Sequence, residues 1–194
     1  MVFKRFFSLV VSIFTAGILF WTSPAFAKSL TVYFSKAGEN YSVGEVQEGN
    51  TARLAKLIAK TTGSDIAEII PENEYPMDIK TLTEVSKQEF ESKARPVLKD
   101  NPDISGYDEI YLGTPVWWAD MPMVVYTFLE SQDFKGKTIH PFITHEGMGL
   151  SAIDRKIAEV TGAKVGPSLV MRGTMAQKAD EETQSHVDEW LKQK

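Results

Sequence analysis

NTARLAKLIAKTTGSDIAEIIP, residues 50–71, places a helix and a strand side by side with only Ser64 between them. Leu54, Leu57 and Ile58 fall on one face at helical spacing, so 50–63 reads as an amphipathic helix, and Gly63 supplies the residue type that ends one. DIAEIIP (65–71) reads as a strand. Upstream, SLTVYFS (29–35) is a strand as well, which makes 29–71 a strand–helix–strand unit, the connection that parallel strands require.

The same alternation runs to the end of the chain. A polar linker leads into TLTEVSKQEFESKA (81–94), which reads as a helix. YDEIYLGTP (107–115) is the third strand, MVVYTFLES (123–131) the helix after Pro122, and KTIHPFITHEG (137–147) the fourth strand with its loop. SAIDRKIAEVTG (151–162), KVGPSLVMRG (164–173) and TQSHVDEWLKQ (183–193) complete the series, with Arg172-Gly173 expected as a turn carrying a surface ion pair. The pattern implies an α/β fold, a parallel sheet with helices on both faces. In a doubly wound sheet of five strands, ligands sit beyond the carboxyl ends of the strands, near the point where strand order reverses. The loops at those ends are the unusual ones here: SKAGENYSVGEVQEGNT after strand one, TPVWWADMP after strand three and THEGMG after strand four.

Residues 1–27 stand apart. Lys4-Arg5, the apolar run LVVSIFTAGILFW and then SPAFA follow the order of a cleavable secretory signal, so cleavage after Ala27 is expected, leaving a single domain, 28–194, that is secreted or periplasmic. An uncleaved anchor is the alternative, but about 13 to 15 apolar residues fall short of the ~20 that span a bilayer, so no stable membrane anchor is expected after cleavage. Lys4-Arg5-Phe6-Phe7 also resembles a weakened twin-arginine signal. Without Lys4 and Arg5 the chain carries 19 basic and 26 acidic residues, a net charge near −7, which argues against nucleic acid as a partner. The absence of cysteine excludes disulfides, thiolate catalysis and Cys-ligated zinc.

In YFSKAGENYS, GNT, GTPVWW and FITHEGMGLS the chain resembles the flavodoxin family, in particular its branch with a long first loop and a Trp-Trp third loop. The resemblance covers residues 28–194. It implies a flavodoxin-like three-layer sandwich with a five-stranded parallel sheet of order 2-1-3-4-5, non-covalent FMN, and electron-transfer or reductase chemistry.

The candidate site residues fall on the three loops. A phosphomonoester is held by backbone N–H groups, hydroxyls and a helix start, which points to Ser35, Gly49, Asn50 and Thr51; plain helix capping is the other reading of Asn50 and Thr51. About a dozen residues are inserted between Ser35 and Asn50 relative to a typical flavodoxin. A planar flavin suits flat aromatic rings and backbone amides, so Pro115, Val116, Trp117 and Trp118 are expected at the ring, one indole stacking and the other packing nearby. The alternative makes both tryptophans core caps or partner contacts. In the family the fourth loop, Thr144, His145, Glu146, Gly147 and Gly149, lies along the other side of the flavin. His145 is a candidate proton donor or else a hydrogen-bonding loop residue. No metal site is expected, because His145 and Glu146 are adjacent and point apart while His140 and His186 sit on other elements.

Two function classes are open: an electron carrier docking on a redox partner protein, and an FMN-dependent reductase of a quinone or similar small acceptor. No nicotinamide-binding fingerprint is visible, which favours the carrier. A flavin-free binding module using the same cleft is the third. The export reading has a direct check: N-terminal sequencing of the protein from its native host should begin at Lys28, and an intact Met1 would overturn it.

Overall fold

Burial runs almost without a break along the central strands, so each is covered on both sides. A computed structural model of the chain describes residues 27–194; the expected signal segment, Ala27 apart, lies outside the described residues. In chain order the elements are β1 (Ser29–Tyr33), β2 (Gly38–Asn40), β3 (Gly44–Val46), α1 (Asn50–Thr62), β4 (Asp65–Glu68), β5 (Ile70–Pro71), α2 (Ile79–Ser92) and β6 (Leu98–Asp100), followed by β7 (Glu109–Pro115), α3 (Met123–Ser131), β8 (Thr138–His145), α4 (Ile153–Thr161), β9 (Lys164–Val165), β10 (Leu169–Arg172), α5 (Gly173–Lys178) and α6 (Glu181–Leu191).

The central sheet runs β4-β1-β7-β8-β10, with every pairing parallel. Counted along the chain this is the 2-1-3-4-5 order. The fifth strand, expected over 164–173, is interrupted. β9 pairs with β8 at Thr138 and Ile139, and β10 resumes the same edge at Phe142. The break falls at Gly166-Pro167-Ser168, where proline has no N–H to give to a ladder.

Leu30, Val32, Phe34, Ile110, Leu112, Ile139 and Ile143 face one layer and pack with Val124, Val125 and Phe128 of α3 and Ile153 and Ile157 of α4. Tyr33, Tyr111, Phe142, Leu169 and Met171 face the other, against Leu54, Ala55 and Ile58 of α1 and Val187 and Trp190 of α6. This is the three-layer sandwich. Gly113 leaves room in the second layer that the Phe142 ring fills; a Cβ there would collide with that ring and come within 2.8 Å of Tyr33 Cβ.

Three segments differ from the sequence expectation. The strand expected over 65–71 stays in the main sheet only to Glu68. Ile70-Pro71 turns away and pairs antiparallel with β6, a strand the sequence did not suggest. The insertion after Ser35 is a hairpin, β2 against β3, fastened to the start of α2: Glu39 N–H donates to Met77 O at 2.8 Å, Ile79 N–H donates to Glu39 Oε2 at 2.9 Å, and Lys36 Nζ donates to Met77 O at 2.8 Å. Finally, Gly173 opens a short helix rather than a turn. Six residues are too few to show a helical period, and glycine is a poor helix former. The expected ion pair is present, Arg172 to Glu146 at 3.9 Å.

At the opposite end of the sheet from these loops, His140 is buried, and neither ring nitrogen finds a hydrogen-bond partner among the described residues. Glu109 Oε2 lies 3.5 Å away, but Lys194 already occupies that carboxylate at 3.0 Å and also donates to the Tyr111 hydroxyl. Burial, with Lys194 and Lys164 nearby, lowers the His140 pKa against the opposing pull of Glu109. The unfolded chain therefore takes up a proton before the folded one does. Stability is fully present above the ordinary value of 6.5 and is lost as pH falls from there through the lowered folded value. His140→Phe should flatten the fall in thermal midpoint between pH 7 and pH 5; parallel curves for the two proteins would overturn this assignment.

Candidate functional site

The carboxyl ends of β1, β7 and β8 and the start of α1 meet at one edge of the sheet. The meeting point is Thr144, nearly the last residue of β8. Its Oγ1 is hydrogen-bonded to Thr51 Oγ1 at 2.8 Å, with both hydroxyls buried, and its carbonyl accepts from Val116 N–H at 2.9 Å. The first, third and fourth loops are thereby fixed to one another.

The first loop delivers an open helix start. Gly49 is the N-cap of α1, in extended conformation with no side-chain cap, and the first-turn amides have no partner from the helix itself. Ser35 serves Ala52, whose N–H donates to Ser35 Oγ at 3.0 Å, so the amides of Asn50 and Thr51 are the ones left to receive an anion at the positive end of the helix dipole. Gly49 is required by proximity, because a Cβ would run into Ser35 Oγ and the Lys36 peptide, whose carbonyl carbon would be 2.8 Å away. Asn50 is set from below: Gln177 of α5 donates to Asn50 Oδ1 at 2.9 Å and to Glu48 O at 2.8 Å.

The third loop is a tight turn. Trp117 and Asp120 exchange backbone hydrogen bonds of 2.8 and 2.9 Å, and the two residues between them, Trp118 and Ala119, both have positive φ, 55° and 56°. That is the sign pattern of a type I′ turn, which favours Gly and Asn over these residues. Asp120 holds it. Its buried carboxylate accepts from Met121 N–H at 2.7 Å and Tyr126 O–H at 2.9 Å and pairs with Lys156 of α4 at 2.6 Å. The turn sends the two indoles apart. Trp117 is half-buried, edge-on to Phe34 and Tyr75 at centroid distances of 5.5 and 5.0 Å. Trp118 reaches over α2, where its Nε1–H donates to Ser86 Oγ at 3.0 Å with Lys87 beside the ring, and it stays 39% exposed. Pro115 ends β7 in register with Thr144.

In the fourth loop the His145 Nδ1 accepts from Gly147 N–H at 2.9 Å and Gly149 N–H at 3.2 Å, so this imidazole does organise its own loop. Both glycines have positive φ, 116° and 60°, which the loop needs to curl back on the ring. Burial lowers the His145 pKa, with Glu146 raising it and Arg172 lowering it further. Glu146 turns from the loop toward α5 and accepts from Thr174 N–H at 2.8 Å. Gly173 lies between Glu146 and Asn50, so close to the latter that a Cβ would strike the Asn50 amide.

Every residue expected from the three loops lies at this edge. Asp120, Tyr75 and Gln177 were not anticipated. Asp120 follows a two-residue turn, which is a readable signal; Tyr75 and Gln177 carry none, because they reach the site only through the fold. The arrangement fits a phosphomonoester attached to a planar ring, with an uncapped helix start for the anion and indoles across the mouth of the sheet.

A sequence profile described as Flavodoxin matches residues 28–194, and the chain belongs to that family. No curated protein matches it. Among solved structures, a candidate flavoprotein of Bacteroides uniformis is 31% identical, with 86% of this chain and 98% of that one covered and a TM-score of 0.65. A second, from Bacteroides eggerthii, is 25% identical over 86% and 96% with a TM-score of 0.67. A flavoprotein of Lactobacillus acidophilus, solved in complex with FMN, shares the fold at 22% identity over 85% and 99%, with a TM-score of 0.59.

The close approach at Gly49 is testable without any ligand. Gly49→Ala should cost about 1 to 3 kcal/mol in denaturant unfolding, the usual range for forcing extra volume into a packed site. Gly106→Ala, where a Cβ meets open space, should cost much less; equal effects would remove the argument.

Proposed function

We propose that this protein is an FMN-binding redox carrier working outside the cytoplasm. The observation that carries the reading is the convergence at Thr144: an open helix start, a tryptophan turn and a glycine loop locked together at the carboxyl edge of the sheet. Membership of the flavodoxin family and the FMN complex of the Lactobacillus acidophilus relative support FMN as the cofactor. The export signal read in residues 1–27 supports the location.

FMN would supply one- and two-electron transfer. The chain's part is to bind and to orient. The amides of Asn50 and Thr51 would hold the phosphate. Trp117, braced on two sides by Phe34 and Tyr75, would give a rigid platform, and Trp118 would close the outer side. Val116 and the loop from Thr144 to Gly149 would present backbone to the polar edge of the ring, with Pro115 limiting how far the third loop can open. The net negative charge of the chain, near −7 over residues 28–194, disfavours added negative charge in the site, which would lower the potential of the second electron relative to the free cofactor.

One observation favours the reductase of small acceptors as a second reading. Trp118 of the third loop and Met148 of the fourth are 39% and 55% exposed, apolar side chains that a quinone could approach. Rapid, saturable turnover of a quinone with NADH or NADPH alone would establish that reading in place of the carrier.

Binding measurements decide the cofactor. Apoprotein should bind FMN more tightly than riboflavin, and equal affinities would overturn the phosphate assignment. Trp118→Ala should weaken FMN binding at least tenfold, about 1.4 kcal/mol, with little change in thermal midpoint. Trp117→Ala should lower both, because its ring also packs against the core.

A further inference from the structure

The His145 ring is held in a way that decides which chemistry it can perform. Two backbone amides of its own loop, Gly147 and Gly149, donate to Nδ1. A nitrogen that accepts two hydrogen bonds carries no proton, so the ring is neutral and its proton sits on Nε2. Giving that proton away would leave an imidazolate unless Nδ1 took one up at the same time, and in the closed loop Nδ1 is occupied by the two amides. In this neutral form His145 can donate a hydrogen bond from Nε2, whereas proton donation needs the imidazolium, which the closed loop disfavours.

The converse matters as much. A proton on Nδ1 turns the acceptor into a donor facing two donors, and the 145–149 loop must let go. Gly147 and Gly149 hold positive φ to make this contact, which glycine adopts and leaves at little cost. The charged groups around the ring are few: Glu146 next in the chain, and Arg172 opposite in register on β10. Glu146 is engaged by Thr174 N–H, and Asn50, on the α1 side of Gly173, is uncharged. Glu146 favours the protonated ring and Arg172 opposes it, and burial outweighs Glu146.

We infer that His145 is a latch on the fourth loop: neutral and locked as the Nε2–H tautomer it closes the loop over the cofactor site, and protonation of Nδ1 opens it. The part concerning cofactor release rests on the FMN reading above; the latch itself does not. The sign follows from the geometry. The closed loop needs the neutral ring, so closure is complete above the ordinary pKa of 6.5 and is lost as pH falls through the lowered folded value.

The test has two arms. In apoprotein, ¹⁵N NMR of the imidazole should show the Nε2–H tautomer at pH 7.5. The amide signals of Gly147 and Gly149 should move together with the ring on a single midpoint below 6.5. His145→Asn keeps an acceptor near the Nδ1 position and cannot titrate, so in that variant the two amides should stay still between pH 7.5 and 4.5. An Nδ1–H tautomer, or glycine amides that ignore the ring titration, would overturn the latch whether or not the protein binds FMN. In the second arm, the dissociation constant for FMN should rise below the same midpoint toward tenfold per pH unit, and His145→Asn should abolish that rise. A normal latch titration in apoprotein with no FMN binding would refute the cofactor reading and leave the latch standing; FMN affinity independent of pH alongside a titrating latch would refute the coupling.

Discussion

The buried hydrogen bond between Thr51 and Thr144 joins the start of the first helix to the end of the fourth strand, 93 residues apart in sequence. A buried hydroxyl without a partner costs about 1 to 3 kcal/mol, so each threonine makes the other's position obligatory. The Thr144 carbonyl extends the constraint to the third loop through Val116. Once these contacts form, α1 has little freedom to slide along the sheet. Gly49 must then pass against Ser35 and Lys36 with no room for a side chain, and the first amides of the helix come to lie beside the fourth loop.

Around that fixed point the chain tolerates local strain. Trp118 and Ala119 both occupy the left-handed region, which for such residues costs on the order of 1 to 3 kcal/mol each. The turn persists because Asp120, at its end, is surrounded by three donors from the third loop, α3 and α4. An ionised carboxylate is stable in a buried setting only when paired and hydrogen-bonded in this way. The consequence is mechanical: the orientation of two indoles on one side of the sheet depends on a lysine of the helix that follows the fourth loop.

The layers and the strand order were legible because they rest on periodicity and on rules of connection. Leu54, Leu57 and Ile58 marked α1, and the apolar runs within 107–115 and 137–147, set between helical patterns, marked the middle of the sheet. The site was legible as loops, since glycine, proline and adjacent tryptophans are conspicuous between regular elements. Its internal contacts were not. Nothing in the order of residues says that Gln177 orients Asn50, that Tyr75 braces Trp117, or that the His145 ring turns back on its own loop; each depends on where the chain returns in space. The departure of β5 from the sheet and its pairing with β6 were missed for the opposite reason. At two and three residues these strands are too short to carry a pattern, and they exist because their backbones find each other.

The interruption between β9 and β10 bears on how the folded protein behaves among its neighbours. A long exposed strand at the border of a sheet is a template on which another chain can add its own strand, the first step toward fibrous aggregates. Here the outermost strand is cut into pieces of two and four residues, and Pro167 in the gap has no N–H to offer. Trp190 of α6 further ties down the gap by donating to the Pro167 carbonyl at 2.8 Å. A second copy approaching this border meets no continuous row of open peptide groups, so the sheet can end in solvent without recruiting another molecule to finish it.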